Sequence, residues 1–264
     1  MRRLLYFTFI GLIGCVGAQQ KADTLPLRAL SGDTVNCRLD PHDVFVRLDT
    51  TQPNVYMIFS ADSMFEGAPS ALDVLEERNM TASFFFTGNF LRDTVNSGII
   101  HRIVDGGHYV GPHSNTHLLL ADWNRERTPL VSDDSLIADM RANLLELDKF
   151  GVTIDSIAYA LPPFEWCSRN QAHTYRQMGL IPINPTPEIE TYRDYTTPDM
   201  SYYWSSDQML EQLFTYEATH NLNGAIIIIH LGTQDARTDK LYFHLPEILD
   251  TLTARGYTLK SLPK

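Results

Sequence analysis

Basic residues are scarce in this sequence. The chain has 264 residues, and its 21 Lys and Arg face 32 Asp and Glu, so the net charge at pH 7 is −11. An acidic surface of this size repels phosphate backbones and anionic lipids, which argues against nucleic acid as a partner and leaves neutral sugars open. The length suits one large domain or two small ones. The chain also lacks internal repeats and low-complexity tracts.

Cysteine is scarce as well, with three residues in the chain. Cys15 falls within the first apolar run, which leaves Cys37 and Cys167. These two could form a disulfide in an oxidising compartment, but only if their Cα atoms lie within about 7 Å of each other. We predict two unpaired, largely buried thiols.

No apolar run at the start of the chain is long enough to cross a membrane. Residues 4–16 form the first such run, two arginines precede it, and small residues up to Ala18 follow it. This pattern predicts a signal peptide over residues 1–18. Residues 12–15, Leu-Ile-Gly-Cys, equally resemble a bacterial lipoprotein signal, in which Cys15 is lipidated. Both readings predict an exported protein, periplasmic or extracellular, either free or anchored by lipid at Cys15.

The remainder of the chain divides into a polar segment and a patterned domain. We predict that residues 19–53 are an N-terminal extension packed on a main domain of residues 54–264. From Val55 onward, short apolar runs alternate with helical patterns, and residues 226–229 are four isoleucines, as in a strand buried on both faces. Alternation of this kind indicates parallel strands. About seven βα units fit the α/β class and a distorted (β/α) barrel better than an open sheet.

Two histidines stand four residues apart in His113-Ser114-Asn115-Thr116-His117. On a helical turn they would point the same way and could share one divalent metal ion. The pattern alone is weak, because many such pairs are accidents of the surface. Here it follows a predicted strand over residues 107–111, and the carboxyl ends of barrel strands build the active site in this architecture.

Three further polar residues follow predicted strands. Asp62 comes just after the strand of residues 55–59, Glu165 follows a Pro-Pro turn after residues 156–160, and His230 ends the strand of residues 225–229. Each has an ordinary structural alternative, namely a helix cap, a solvated carboxylate and a hydrogen-bonded core histidine, respectively. Their shared position at strand ends favours a single site.

These motifs have a family resemblance. From Val55 to Leu262 the chain resembles the NodB-like polysaccharide deacetylase domain of carbohydrate esterase family 4. The family motif His-Ser/Thr-x-x-His is matched by residues 113–117, and the Gly-Gly-His-Tyr-Val-Gly of residues 106–111 matches its usual approach. Residues 228–230, Ile-Ile-His, match the late motif that ends in a catalytic histidine.

Two family positions are changed. The first motif normally carries two adjacent aspartates, a general base and a metal ligand, but here Phe59-Ser-Ala-Asp62 keeps the ligand and places Ala61 at the base. The third motif normally supplies an arginine that pairs with that base, and Leu161 stands there. The double loss is physically consistent, because an arginine beside an alanine would be an uncompensated buried charge.

The resemblance implies a hydrolase that removes acetyl groups from a polysaccharide or oligosaccharide. It implies a divalent metal held by Asp62, His113 and His117, with His230 as the general acid. The mixed donor set suits Zn²⁺, although Co²⁺ and Ni²⁺ would also bind. Either Asp194 or Asp199 could orient the catalytic histidine.

The general base must come from another position. Glu165 and Glu66 are the two candidates, and Glu165 is favoured because Phe164 and Trp166 would exclude water from it and raise its pKa. The same two aromatic residues are predicted to bind the substrate.

Two alternative functions remain at this stage. A non-catalytic carbohydrate-binding relative could retain the metal site, and the changes at Ala61 and Leu161 support that alternative. A metal-free glycosidase could use Asp62 and Glu165 as its carboxylate pair. The glycosidase leaves the spacing of the two motif histidines unexplained.

Overall fold

The computed structural model describes residues 36–264. The predicted signal peptide and the predicted lipid attachment at Cys15 lie outside these residues. In the part of the chain that is described, no helix is long and apolar enough to cross a membrane. Cys167 is buried, and burial raises the pKa of its thiol to about 12.

Short strands and helices alternate along the chain. The strands are β1 (Arg38–Leu39), β2 (Phe45–Arg47), β3 (Asn54–Ala61), β4 (Ser83–Phe86), β5 (Tyr109–Pro112), β6 (Tyr159–Ala160), β7 (Ile181–Pro182), β8 (Ile226–His230) and β9 (Thr258–Lys260). The α-helices are α1 (Ala68–Glu77), α2 (Gly88–Arg92), α3 (Ser97–Asp105), α4 (Asp133–Asp148), α5 (Arg169–Gln177), α6 (Ser206–His220) and α7 (Leu245–Ala254).

Among residues 36–264, strands β3 through β9 pair only in parallel. The main sheet has the order β5-β4-β3-β8, with β9 on the amino-terminal half of β3, and β6 pairs with β7 separately. One backbone–backbone hydrogen bond spans each gap: Leu161 N donates to Pro112 O (3.1 Å), and Thr186 N donates to Ile226 O (2.9 Å). The described strands therefore curve into a distorted, discontinuously bonded barrel, which brings their carboxyl ends together.

The two faces of β3 pack into different cores. Met57 and Phe59 face the surrounding helices, whereas Tyr56 and Ile58 face the barrel interior. Successive side chains of a strand point to opposite sides, and both sides are covered here, so the whole run is apolar. Ser60 stands beside His230 in the β3–β8 register, so strand pairing places the end of β8 next to the end of β3.

Serine caps set the beginnings of the helices near the site. The hydroxyls of Ser132, Ser168 and Ser205 accept hydrogen bonds from backbone N–H groups at the starts of α4, α5 and α6. Such caps satisfy amide groups that have no partner inside the helix. After α4 the chain turns at Gly151, whose φ of 79° is the left-handed conformation that glycine adopts easily.

The segment before β3 packs against the barrel. Phe45 of β2 forms a parallel bridge with Ile183, and Arg47 forms an antiparallel bridge with Ala225. Asp43 forms an ion pair with Arg169 of α5 at 3.0 Å. These contacts hold residues 43–47 over the gap between β7 and β8.

Candidate active site

A cavity of about 650 Å³ opens at the carboxyl ends of the parallel strands. Five of the predicted catalytic and metal-binding residues line it, together with the predicted substrate-binding aromatics Phe164 and Trp166. The five are Asp62, His113, His117, Glu165 and His230. Glu66, the sixth such residue, is not part of the described lining.

His113 is held in the form that suits a metal ligand. Its Nδ1 lies 2.9 Å from the carbonyl oxygen of Leu161, which can only accept, so Nδ1 carries the proton and Nε2 keeps its lone pair. Its backbone N–H donates to the side-chain oxygen of Asn143 at 2.9 Å. Burial, with a smaller contribution from His117, lowers the pKa of His113 to about 3, so the ring is neutral.

The prediction of a helical turn between His113 and His117 is wrong. Residues after β5 form an irregular loop in which Ser114 and His117 have φ values of 72° and 55°. Asp139 of α4 holds this loop, accepting from the Ser114 hydroxyl at 2.6 Å and from the Asn115 N–H at 2.8 Å. The loop still brings the two imidazoles together, with ring centroids 5.0 Å apart between His113 and His117.

Asp62 lies one residue beyond β3 and faces the same cavity. Its Oδ1 accepts from the Thr87 hydroxyl at 2.9 Å and from the Asn89 amide at 3.2 Å. Among the described residues, none donates to its Oδ2, which leaves that oxygen available to a ligand. Burial lowers the pKa of His117, and the charge of Asp62 opposes this shift.

The chemistry of these three side chains fits a divalent metal. Two imidazoles and one carboxylate form a donor set that zinc accepts, and His113 presents a free lone pair. Within residues 36–264, however, no three His, Cys, Asp or Glu side chains are gathered as a metal-binding cluster. Asp62, His113 and His117 thus share a cavity without standing at coordination distances.

His230 forms a short contact with Asp194 of the 3-10 helix Glu190–Tyr195. Its Nδ1 lies 2.5 Å from Asp194 Oδ1, and its backbone N–H donates to Oδ2 at 2.7 Å. Burial by itself would lower the pKa of His230, but the charge and hydrogen bond of Asp194 raise it to about 9. Asp199, the other candidate, accepts from Thr197 instead.

Glu165 enters the cavity from a sharp turn. Phe164 and Glu165 both have left-handed φ values, 59° and 52°, and the Asn184 amide donates to the Glu165 carbonyl at 2.7 Å. Burial raises the pKa of the Glu165 carboxyl to about 7, with the positive charge of His230 opposing and Asp194 reinforcing the rise. A carboxyl with that pKa can exchange protons near neutral pH.

Glu66 is engaged elsewhere. Its carboxylate accepts from the Thr233 N–H at 3.1 Å and from the Lys240 ammonium at 3.1 Å. Burial favours a higher pKa for Glu66, but these donors lower it. The carboxylate is therefore bound to a loop beside the cavity, and this position argues against Glu66 as the base.

The two residues that depart from the family pattern, Ala61 and Leu161, are both buried. Ala61 lines the cavity and is 4% exposed, and Leu161 is fully buried in the barrel interior. The cavity wall thus has neither a carboxylate at position 61 nor a guanidinium at position 161.

A row of aromatic rings runs outward from His117. The ring centroid of Phe164 lies 4.4 Å from that of His117, and Trp123 lies 5.3 Å from Trp166. The Arg127 guanidinium lies 3.7 Å above the Trp166 ring. Trp123, which is 59% exposed, was missed by the sequence reasoning because its irregular loop carries no periodic signal. Other aromatic residues of the lining are Tyr192 and Tyr195.

Acidic and histidine side chains gather at the carboxyl ends of the parallel strands, which is where proteins of the (β/α)-barrel class build their active sites. The sequence profile of the polysaccharide deacetylase family matches residues 47–180 of this chain. The chain therefore belongs to the polysaccharide deacetylase family, as its motifs predicted.

Two curated relatives extend the match. The chain is 34% identical over 240 residues to the peptidoglycan-N-acetylmuramic acid deacetylase PdaA of Bacillus subtilis, covering 88% of this chain and 78% of that protein. It is 24% identical over 229 residues to a chitooligosaccharide deacetylase of Sinorhizobium fredii, covering 83% and 94%.

A solved structure shows the same fold. BA3943 of Bacillus anthracis, described as a family 4 carbohydrate esterase pseudoenzyme, aligns with a TM-score of 0.65 and 18% identity over 85% of this chain and 68% of that one. A mutant of BA3943, described as having restored enzymatic activity, aligns equally well. The predicted fold class, a distorted (β/α) barrel, is confirmed.

Proposed function

We propose that this protein is a metal-dependent hydrolase that removes acetyl groups from a polysaccharide or oligosaccharide. The observation that carries the proposal is a single cavity lined by the Asp62 carboxylate, the two motif imidazoles and His230, which is paired with Asp194. The aromatic row supports a sugar substrate, because apolar ring faces stack on the C–H faces of sugars. The two named deacetylase relatives support the same reaction class.

Asp62, His113 and His117 would hold the metal. Their mixed nitrogen and oxygen donors suit Zn²⁺, and Co²⁺ or Ni²⁺ would also bind. A divalent cation bound there would supply Lewis acidity for polarising an acetyl carbonyl towards attack by water. The Leu161 carbonyl keeps the His113 Nε2 unprotonated, and Thr87 and Asn89 orient the Asp62 carboxylate.

Two other side chains manage the protons. His230, held as an imidazolium by Asp194, would donate a proton from Nε2 to the leaving amine or alkoxide. Glu165, with a pKa near 7, would accept the proton of the attacking water. It would take over the task that Ala61 cannot perform.

The amino-terminal sequence supports export. Residues 1–18 carry the pattern of a signal peptide or a lipoprotein signal, so we place the protein in the periplasm or outside the cell. In the lipoprotein alternative, Cys15 carries the lipid. An acetylated glycan of the cell surface or surroundings is the substrate class that such a location offers.

Acetate release tests the proposed function. Purified protein, prepared with and without a chelator, is assayed on a panel of acetylated glycans. We expect acetate from at least one of them, loss of that activity on chelation, and its return when Zn²⁺ is restored. Absence of acetate release from every glycan at full metal occupancy contradicts the proposal.

The changed positions favour one second candidate, a carbohydrate-binding protein without catalysis. Ala61 and Leu161 remove the family's base and its partner, and the fold is shared with a pseudoenzyme. This candidate predicts that an acetylated oligosaccharide binds and quenches tryptophan fluorescence while no acetate appears. The two candidates therefore separate in one sample.

Metal content should depend on the paired histidines. We expect close to one divalent metal ion per chain in the parent protein and a marked loss in His117→Ala, because the donor set falls from three to two. Elemental analysis after dialysis measures this, and His173→Ala, an exposed histidine on α5, serves as the control. Equal metal in the parent and His117→Ala would refute the ligand assignment.

Activity should have a bell-shaped pH profile. The base form of Glu165 grows as the pH rises through about 7, and the acid form of His230 is lost as the pH rises through about 9. We therefore expect kcat/KM to be highest between these values. In Glu165→Gln the acidic limb of the pH profile should disappear from any residual activity. If the limb persists, it arises from the ionisation of another group.

A further inference from the structure

A fully buried arginine lies behind the rim of the cavity. Arg237, in the segment that follows β8, is 0% exposed. Its Nη1 donates to the carbonyl oxygens of Thr196 at 2.8 Å and Trp204 at 3.1 Å. Its Nε and Nη2 have no hydrogen-bond partner among the described residues, and the nearest carboxylate, Asp239, lies 3.8 Å from Nη2.

Such an arrangement is costly to maintain. Burial removes a guanidinium from water, and N–H groups without acceptors add to that cost. An apolar side chain of similar length would fill the same space without the penalty. The guanidinium provides the hydrogen bonds to the two backbone carbonyls, the ion pair with Asp239 and a stacking contact with the Tyr203 ring, whose centroid lies 5.0 Å away. The role of Arg237 therefore lies in the segments that these contacts join.

The two ends of this connection carry the catalytic pair. Arg237 is seven residues after His230, and Thr196 is two residues after Asp194. One guanidinium thus joins the segment that follows the histidine to the segment that carries its aspartate. Asp194 itself is buried, with a side chain that is 1% exposed, and it reaches His230 from the short 3-10 helix Glu190–Tyr195.

We infer that Arg237 is a positioning residue that holds Asp194 against His230. It links two rim segments, the one that follows His230 and the one that carries Asp194. Its removal lets the 3-10 helix Glu190–Tyr195 move relative to β8. The short contact between the two side chains then lengthens, and the imidazole loses its fixed direction. A misplacement of this kind near the reacting atoms lowers kcat on the order of 10- to 100-fold.

Arg47 offers a matched control. It is also buried, 6% exposed, and it donates to two backbone carbonyls, those of Asn221 and Asn223. Its Nε likewise lacks a partner among the described residues. It lies at the opposite end of β8 from His230. Arg47→Met therefore repeats the chemical change and its cost in stability without touching the rim segments.

The experiment compares Arg237→Met with Arg47→Met by proton NMR at pH 7. The Nδ1–H proton between His230 and Asp194 should give a low-field resonance, which is assigned by its absence from His230→Gln. We expect this resonance to shift upfield or vanish in Arg237→Met and to persist in Arg47→Met, although both variants lose thermal stability. If Arg237→Met does not fold, Arg237→Lys replaces it, because one ammonium cannot reproduce the planar guanidinium geometry.

The kinetic comparison rests on the proposed function, whereas the NMR comparison does not. With an active enzyme, we expect the loss in Arg237→Met to fall on kcat more than on KM. A low-field resonance that is the same in the folded Arg237 variant and in Arg47→Met overturns the inference, whatever the activity. If the parent releases no acetate, the proposed function fails while the resonance still decides the role of Arg237.

Discussion

Replacing His230 by alanine is expected to reduce acetate release by on the order of 10²-fold or more, with metal content unchanged. In the proposed mechanism the imidazolium, whose Nδ1 lies 2.5 Å from Asp194 Oδ1, donates the proton to the leaving group. The loss should be largest for substrates with poor leaving groups, such as amides and alkoxides, because these depart only when protonated. Steady-state rates on an acetylated glycan and on an activated aryl acetate measure the difference.

Two controls accompany this variant. Metal analysis shows whether the donor set survives, and Asp199→Asn changes a nearby carboxylate that accepts from Thr197 instead of the histidine. Asp194→Asn should reproduce part of the His230→Ala loss, since an amide does not stabilise the imidazolium. Equal losses on both substrate types would show that His230 is a structural histidine.

Glu165→Gln is expected to lower acetate release by on the order of 10²-fold while fold and metal content remain intact. The change removes a proton acceptor without changing the size of the side chain. The family's usual base position holds Ala61, which cannot accept the proton instead. Rates at the pH optimum of the parent, together with circular dichroism and metal analysis of the same samples, measure the effect.

Two further variants make the test selective. Glu66→Gln should have little effect, because that carboxylate is bound to Lys240. Ala61→Asp alone should not raise activity. Its new carboxylate would face the like charge of Asp62 with no arginine at position 161 to compensate, so its pKa would rise and its ionisation would be unfavourable. A loss in Glu66→Gln instead of Glu165→Gln would assign the base to Glu66, and no loss in either would show that water attacks without a carboxylate base.

Local sequence was sufficient for the framework of the site. The apolar run of β3 and the four isoleucines of β8 gave the strands that the structure contains, within one or two residues at each end. Parallel strands present their carboxyl ends at one edge, so residues that follow them are brought together without any knowledge of loop paths. Asp62, His113 and His230 were found in this way.

Local sequence was misleading where a distant side chain sets the backbone. The spacing of His113 and His117 suggested a helical turn, but Asp139 of α4 satisfies the N–H and hydroxyl groups of the intervening loop. Its position 25 residues along the chain from Ser114 leaves no signal in the motif itself. The loop nevertheless places both imidazoles in one cavity, with ring centroids 5.0 Å apart.

The choice among similar side chains was made by tertiary structure alone. Asp194 and Asp199 lie five residues apart in one polar segment, and only the packing of that segment on β8 brings Asp194 to His230. Glu66 stands closer to Asp62 in sequence than Glu165 does, yet Lys240 draws Glu66 away.

Sequence by itself determined the family, the main strands and the two departures from the family pattern, Ala61 and Leu161, since these depend on residue identity and short-range periodicity. Tertiary structure decided the partner of His230, the location of Glu165, the exposed Trp123 and the buried Arg237. Each of these depends on how irregular segments far apart in the chain pack together, and the energy of such contacts is set by distance in space, which local sequence does not encode.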